Sequence, residues 1–219
     1  MAVNKQAYEQ IITDLGSHHV TLVAVSKTKS VEEIKQLYDL GQRDFGENYV
    51  QELVAKRSTL PADIRWHFIG HLQTNKVKQI TPFVALVQSV DSLKLLQEID
   101  KQAKKAGMEV DCLLQVHIAQ EETKFGFSEN ELEQVITTLD ELPLKHAHVK
   151  GLMGMASLTD DMNKVRSEFR YLKSLFDTFS SHRTEFSTLS MGMSSDYSVA
   201  IEEGSTMVRI GSLIFGART

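Results

Sequence analysis

Apolar runs and stretches of helical period alternate along almost the whole chain. Strand-like runs fall at 20–25, 44–46, 66–69, 84–90, 110–118, 148–153, 186–190 and 207–210. The first of them, Thr-Leu-Val-Ala-Val from Thr21, shows no polar alternation, as expected of a strand covered on both faces in a parallel sheet. After an opening helical segment at 7–15, helical periodicity recurs at 31–40, 49–57, 74–80, 93–106, 129–139, 163–179 and 198–203. Ser-Glu-Asn-Glu before Leu132 and Thr-Asp-Asp before Met162 supply the polar side chains of helix starts, and Gly41 and Gly107 stand where helix C-caps belong. Strands alternating with helices imply a parallel sheet with helices outside it. Eight strands within 219 residues favour closure into a single (β/α)8 barrel, with an open doubly wound sheet as the alternative. No linker or sustained repeat interrupts the pattern, so residues 1–219 read as one domain.

Composition narrows the function classes. Twenty-four Lys and Arg stand against 29 Asp and Glu, a formal net charge of −5, which argues against non-specific nucleic-acid binding as the main activity. The lysine clusters at 76–78 and 101–105 read as solvated helix faces. The single cysteine, Cys112, lies in an apolar run, where it acts as a small hydrophobe and forms no internal disulfide. The opening Met-Ala-Val-Asn-Lys-Gln lacks the apolar core of a signal peptide, and no stretch reaches the apolar length of a membrane helix. The expectation is a soluble protein of a reducing, cytoplasmic compartment.

The residue of greatest chemical interest is Lys27, just past the first buried run. An apolar floor disfavours its ammonium form, so its pKa should fall below the free value of roughly 10.4. A neutral amine attacks carbonyls, and the recurrent use of such a lysine is a Schiff base with a cofactor aldehyde or a carbonyl substrate. The plainer alternative is a solvated lysine at a strand end.

In a barrel, chemistry belongs at the C-terminal ends of the strands, with phosphate commonly held by the loops after strands seven and eight. Strand seven runs into Leu-Ser-Met-Gly-Met-Ser-Ser-Asp-Tyr, where Ser194 and Ser195 offer hydroxyl donors at the start of a helix. Strand eight reads Met-Val-Arg-Ile-Gly-Ser-Leu-Ile-Phe-Gly from Met207. There Gly211 admits close backbone approach and Ser212 adds a hydroxyl. Arg209, two residues before Gly211, points to the same side, into the barrel. Taken one at a time, serine- and glycine-rich turns are usually only turns.

Six segments together carry a resemblance. Val-Ser-Lys-Thr-Lys at Val25, Phe-Gly-Glu-Asn-Tyr-Val-Gln-Glu at Phe45, Trp-His-Phe-Ile-Gly-His-Leu-Gln-Thr-Asn-Lys at Trp66, Gly-Leu-Met-Gly-Met at Gly151, Leu-Ser-Met-Gly-Met-Ser at Leu189 and Val-Arg-Ile-Gly at Val208 resemble, in this order, the pyridoxal 5′-phosphate homeostasis protein family. The resemblance covers nearly the whole chain. It implies the barrel of alanine racemase (PLP fold type III) without that enzyme's C-terminal β domain, pyridoxal 5′-phosphate (PLP) as cofactor, and a role in controlling free PLP. Carried over by motif, Lys27 is the Schiff-base lysine, Ser194, Gly211 and Ser212 hold the phosphate, and Arg209 meets the pyridine nitrogen. Asn48, His71 and Met155 line the same mouth. Two positions depart from the family pattern: Ser30 stands where proline is common, and Ser212 where threonine is common. Neither removes a needed donor. The resemblance further implies a monomer, with dimerisation open, and PLP-dependent apo-enzymes as recipients.

An arginine beside the pyridine nitrogen disfavours the protonated ring and makes it a poorer electron sink. Racemases that resemble this barrel also use arginine, so the expectation of cofactor homeostasis with little catalysis rests on the missing second domain, which in alanine racemase carries a catalytic tyrosine; the alternative is a PLP-dependent amino-acid racemase or a related enzyme. Other candidates have plainer readings. His67 and His71 lack an evident third metal ligand, so hydrogen bonding is their expected role. Gly192-Met193-Ser194 resembles part of a hydrolase nucleophile elbow, but Asp196 replaces the required glycine. Met153, Met155, Met191 and Met193 are expected to pack, and Lys29 and Lys124, expected at the surface, are candidate secondary amines for PLP.

Overall fold

In the computed structural model the described residues are 3–119, 125–139 and 141–216. Eight parallel strands, β1 (Thr21–Val25), β2 (Asp44–Glu47), β3 (Arg65–Phe68), β4 (Val84–Val90), β5 (Val110–Val116), β6 (Ala147–Gly154), β7 (Thr188–Ser190) and β8 (Met207–Ile210), pair in sequence order. β8 returns to β1, with Val23 opposite Arg209. The sheet is thus a closed barrel, and the open doubly wound alternative is excluded. The helices are α1 (Lys5–His18), α2 (Val31–Asp39), α3 (Val50–Arg57), α4 (Val77–Ile80), α5 (Leu93–Ala106), α6 (Glu129–Thr138), α7 (Met162–Ser180), α8 (Tyr197–Glu202) and α9 (Ser212–Phe215).

Local chemistry sets the helix ends. Ser128 and Glu131 form a reciprocal capping box at α6, Asp161 caps α7, and Gly107 ends α5 in the left-handed conformation. The segment expected as one helix at 74–80 is a 3-10 turn, Thr74–Lys76, leading into the short α4. Strand eight ends at Ile210, as its run at 207–210 implies, but the apolar pattern predicts no helix for the residues that follow. The chain turns at Gly211 into α9, whose Ile214 and Phe215 are buried in the outer core. A short apolar run does not by itself distinguish a strand from a buried helical turn.

The barrel wall divides two apolar regions. Leu22, Ala24, Phe45, Trp66 and Phe68 point outward into the large core beneath the helices. Val23, Leu86, Leu113, Met153 and Met207 fill the interior, with Met155 against them. Alternate residues of a strand face opposite sides, so each strand sends side chains in turn to the interior and to the outer core. Cys112 is fully buried, and burial pushes its thiol well above the ordinary range. Among the described residues, no helix is long and apolar enough to cross a membrane.

Candidate functional site

β1 ends at Val25 and the chain turns at once. Ser26 C=O accepts a hydrogen bond from Lys29 N–H at 3.0 Å, which places Lys27 and Thr28 at the corner of a four-residue turn. Thr28 has a φ of 64°, an outlier for a β-branched residue and a mark of local strain. Lys27 is half-buried and lines a cavity of about 450 Å³. The other lining residues lie near or beyond the C-terminal ends of β1, β2, β3, β6, β7 and β8, so the cavity occupies the C-terminal mouth.

The loops after β7 and β8 form one side of it. Met193 N–H donates to Asp196 Oδ1 at 2.6 Å, and Asp196 and Tyr197 N–H both donate to Met193 C=O. This tight turn sets Ser194 and Ser195 on the cavity. Ser194 Oγ accepts from Gly211 N–H at 3.3 Å, joining the two loops. A Cβ at Gly211 would lie 3.1 Å from Val25 C=O. The last strand's loop therefore runs against the strand that carries Lys27, a consequence of the β1–β8 closure. Gly211 also opens α9, whose first N–H groups have no intrahelical acceptor. Asn48 borders the cavity, and its Oδ1 is buried with no hydrogen-bond partner among the described residues.

Arg209 reaches the cavity from inside the barrel and is only 4% exposed. Its Nη1 donates to Ser190 Oγ at 2.6 Å and its Nη2 to Gly154 C=O at 3.0 Å. Burial pulls its pKa down to about 10, against the opposing charge of Asp196, so it remains a cation at neutral pH. Ser190 Oγ donates onward to Gln88 Oε1 at 2.7 Å, and Gln88 Nε2 donates to His67 Nδ1 at 3.0 Å. His67 Nδ1 is thereby the acceptor, leaving Nε2–H to donate to Asp44 Oδ1 at 3.0 Å. Arg65 Nε reaches the same Asp44 oxygen at 2.7 Å. Burial tends to raise the Asp44 pKa, but the hydrogen bonds from His67 and Arg65 outweigh it and hold the carboxyl below its ordinary value.

Seven of the eight residues assigned to the cofactor by the resemblance, Lys27, Asn48, Met155, Ser194, Arg209, Gly211 and Ser212, share this cavity, together with Met193 and Ser195. His71 is not among its lining residues. It is exposed, its ring stacks on Phe125 with centroids 4.0 Å apart, and its Nδ1 lies 3.0 Å from Asp91 Oδ2. Lys29 lines the cavity and donates to Phe215 C=O at 3.0 Å. Lys124 lies outside the described residues. Ile69 and Leu158 also border the cavity, and the chain of hydrogen bonds behind Arg209 is a further addition. The period of two along each strand holds a signal for that chain: Arg209 and Met207 share a face, and Met207 is opposite Ser190 in the register.

A closed parallel barrel with a lysine after its first strand and hydroxyl-bearing loops after its last two defines the class. The alanine racemase N-terminal domain family matches residues 3–219 of the chain. A pyridoxal phosphate homeostasis protein from Aquifex aeolicus is 42% identical over 205 residues, 93% of this chain and 89% of the relative. The PipY protein of Synechococcus elongatus, solved without PLP, superposes with a TM-score of 0.90 at 32% identity, covering 96% of this chain and 99% of that one. The same protein solved with PLP bound gives a TM-score of 0.83 at 32% identity, covering 96% and 100%. The chain belongs to the pyridoxal phosphate homeostasis protein family.

Proposed function

We propose that this chain is a single-domain PLP-binding protein that takes up and gives up the cofactor through a Schiff base on Lys27. The observation that carries the reading is the convergence of Lys27, Arg209 and the Ser194 and Ser212 loops on one cavity. The residues fit the group. The phosphate suits the hydroxyls of Ser194 and Ser212, and Asn48 borders the same cavity. Arg209 supplies a fixed positive charge for the pyridine nitrogen.

The bonding chemistry needs no further reagent. Bound PLP would supply an aldehyde carbon, and condensation with the Lys27 amine would release one water, with both amine protons leaving in that water. Leu158, on the cavity wall, is 89% exposed, and a mouth this open suits exchange of PLP with apo-enzymes better than protection of amino-acid intermediates from water.

Titration with PLP should produce imine absorbance that borohydride fixes, with the reduced adduct on Lys27 by mass spectrometry. Lys27→Ala should lose the imine and keep non-covalent binding of the phosphate, since charge-assisted hydrogen bonds of about 1.5–3 kcal/mol each remain. An adduct on Lys29 or Lys124 moves the site. The match to the racemase domain family supports a second reading, amino-acid racemisation. Enantiomer ratios of alanine incubated with the PLP-loaded protein decide it, because turnover at about 1 per second or more is the rate of an ordinary enzyme.

A further inference from the structure

The turn that carries Lys27 is gripped from behind by charged side chains of β2 and α3. We propose that Glu52 is a positioning residue for Lys27: it holds the peptide that follows the lysine and so fixes the direction in which the amine enters the cavity. The inference rests on the reading of Lys27 as the residue that bonds PLP.

Thr28 N–H donates to Glu52 Oε1 at 2.7 Å. On the other side of Lys27, Ser26 C=O accepts from Lys56 Nζ at 2.8 Å. Glu52 and Lys56 are one turn apart on α3, on the same face, and Lys56 Nζ lies 3.3 Å from Glu52 Oε1 and 2.7 Å from Glu47 Oε1. Ser26 Oγ donates to that same Glu47 oxygen at 2.6 Å. The side chains of Lys56 and Glu47 are 6% and 0% exposed.

Buried ion pairs are a weak source of stability, because desolvation cancels much of their attraction. What this cluster supplies is direction. Two of its hydrogen bonds end on the backbone of residues 26 and 28, the neighbours of Lys27. Thr28 is also the residue with the left-handed φ, a conformation that persists only where the surroundings hold it. Without the Glu52 oxygen, the Thr28 peptide is free to relax toward an ordinary conformation, and Lys27 swings with it.

The test compares Glu52→Gln with Glu52→Asp in the purified chain. Glutamine keeps the acceptor at the same reach and drops the charge. Aspartate keeps the charge and withdraws the oxygen by one methylene. Positioning through Thr28 N–H requires Glu52→Asp to weaken Schiff-base formation with PLP by about tenfold, the equivalent of roughly 1.4 kcal/mol, and Glu52→Gln to stay within about threefold of the parent. Binding of pyridoxine 5′-phosphate, which lacks the aldehyde, should be the same in all three proteins. The reverse order assigns Glu52 to its ion pair with Lys56 and overturns the proposal. So does parent-like Schiff-base formation in both variants, or an equal loss of pyridoxine phosphate binding. A parent protein from which borohydride fixes no adduct on Lys27 removes the underlying reading instead, so the two failures are distinct.

Discussion

Ser190 and Arg209 meet inside the barrel, where the serine Oγ accepts a hydrogen bond from the arginine Nη1 at 2.6 Å. The serine proton is committed to Gln88 Oε1, so Ser190 is an acceptor toward the cation and a donor away from it. The same direction runs on through Gln88 and His67 to the Asp44 carboxylate. A buried cation under the cofactor mouth is thus tied, bond by bond, to an anion on a neighbouring side of the barrel. Ser190→Ala removes the acceptor of Arg209 Nη1 and the donor to Gln88 Oε1 together. Leaving buried polar groups unsatisfied costs about 1–3 kcal/mol, and urea unfolding should show a loss of this size. Unchanged stability would mean that the serine does not hold the arginine.

Glycines at the mouth and glycines at the surface should respond in opposite ways to the same substitution. A Cβ at Gly70 would lie 2.3 Å from Asn48 C=O, a backbone contact that no rotamer change relieves. Gly70→Ala should push Asn48 off the cavity, destabilise the fold by about 1–3 kcal/mol and weaken PLP binding in a titration. Gly16 lies within α1 and a Cβ there meets nothing within 4 Å. Gly16→Ala should stabilise by up to about 1 kcal/mol, through helix propensity and a less flexible unfolded chain, with PLP affinity unchanged.

The architecture is legible in the sequence because each strand is a compact apolar run and each helix keeps its own period. The cavity residues are legible for a related reason: side-chain parity carries Arg209 and Gly211 to one face, and a barrel puts strand ends together whatever their separation in the chain. The supporting bonds are less accessible. Strands covered on both faces carry little alternation to set their register, so nothing in the apolar pattern places His67 beside Asp44 on the neighbouring strand. The contacts of His71 with Phe125 and Asp91, and the turn into α9 at Gly211, depend on loop packing that local patterns do not encode. The grip of Glu52 and Lys56 on residues 26 and 28 joins two segments through side-chain reach alone.

Glu47 gives the cluster behind Lys27 a measurable pH signature. Burial pushes its pKa from 4.5 up to about 7, although Lys56 and Ser26 act to lower it. The folded state therefore binds the Glu47 proton more tightly than the unfolded state. This contribution to stability is fully present below about pH 4.5 and is lost as pH rises through about 7, for a span of about 3 kcal/mol. Asp44 and Glu203, whose carboxyls are held below their ordinary values, follow the opposite sign, and their contributions are lost in more acidic solution. Glu47→Gln keeps an oxygen for Ser26 Oγ and Lys56 Nζ but removes the titration. Unfolding free energies measured from pH 5 to pH 8 should accordingly fall more steeply in the parent than in Glu47→Gln, with histidine contributions common to both cancelling in the difference. Parallel curves would show that Glu47 stays ionised against Lys56 throughout, and that the pair is a fixed salt bridge with no proton to exchange near neutrality.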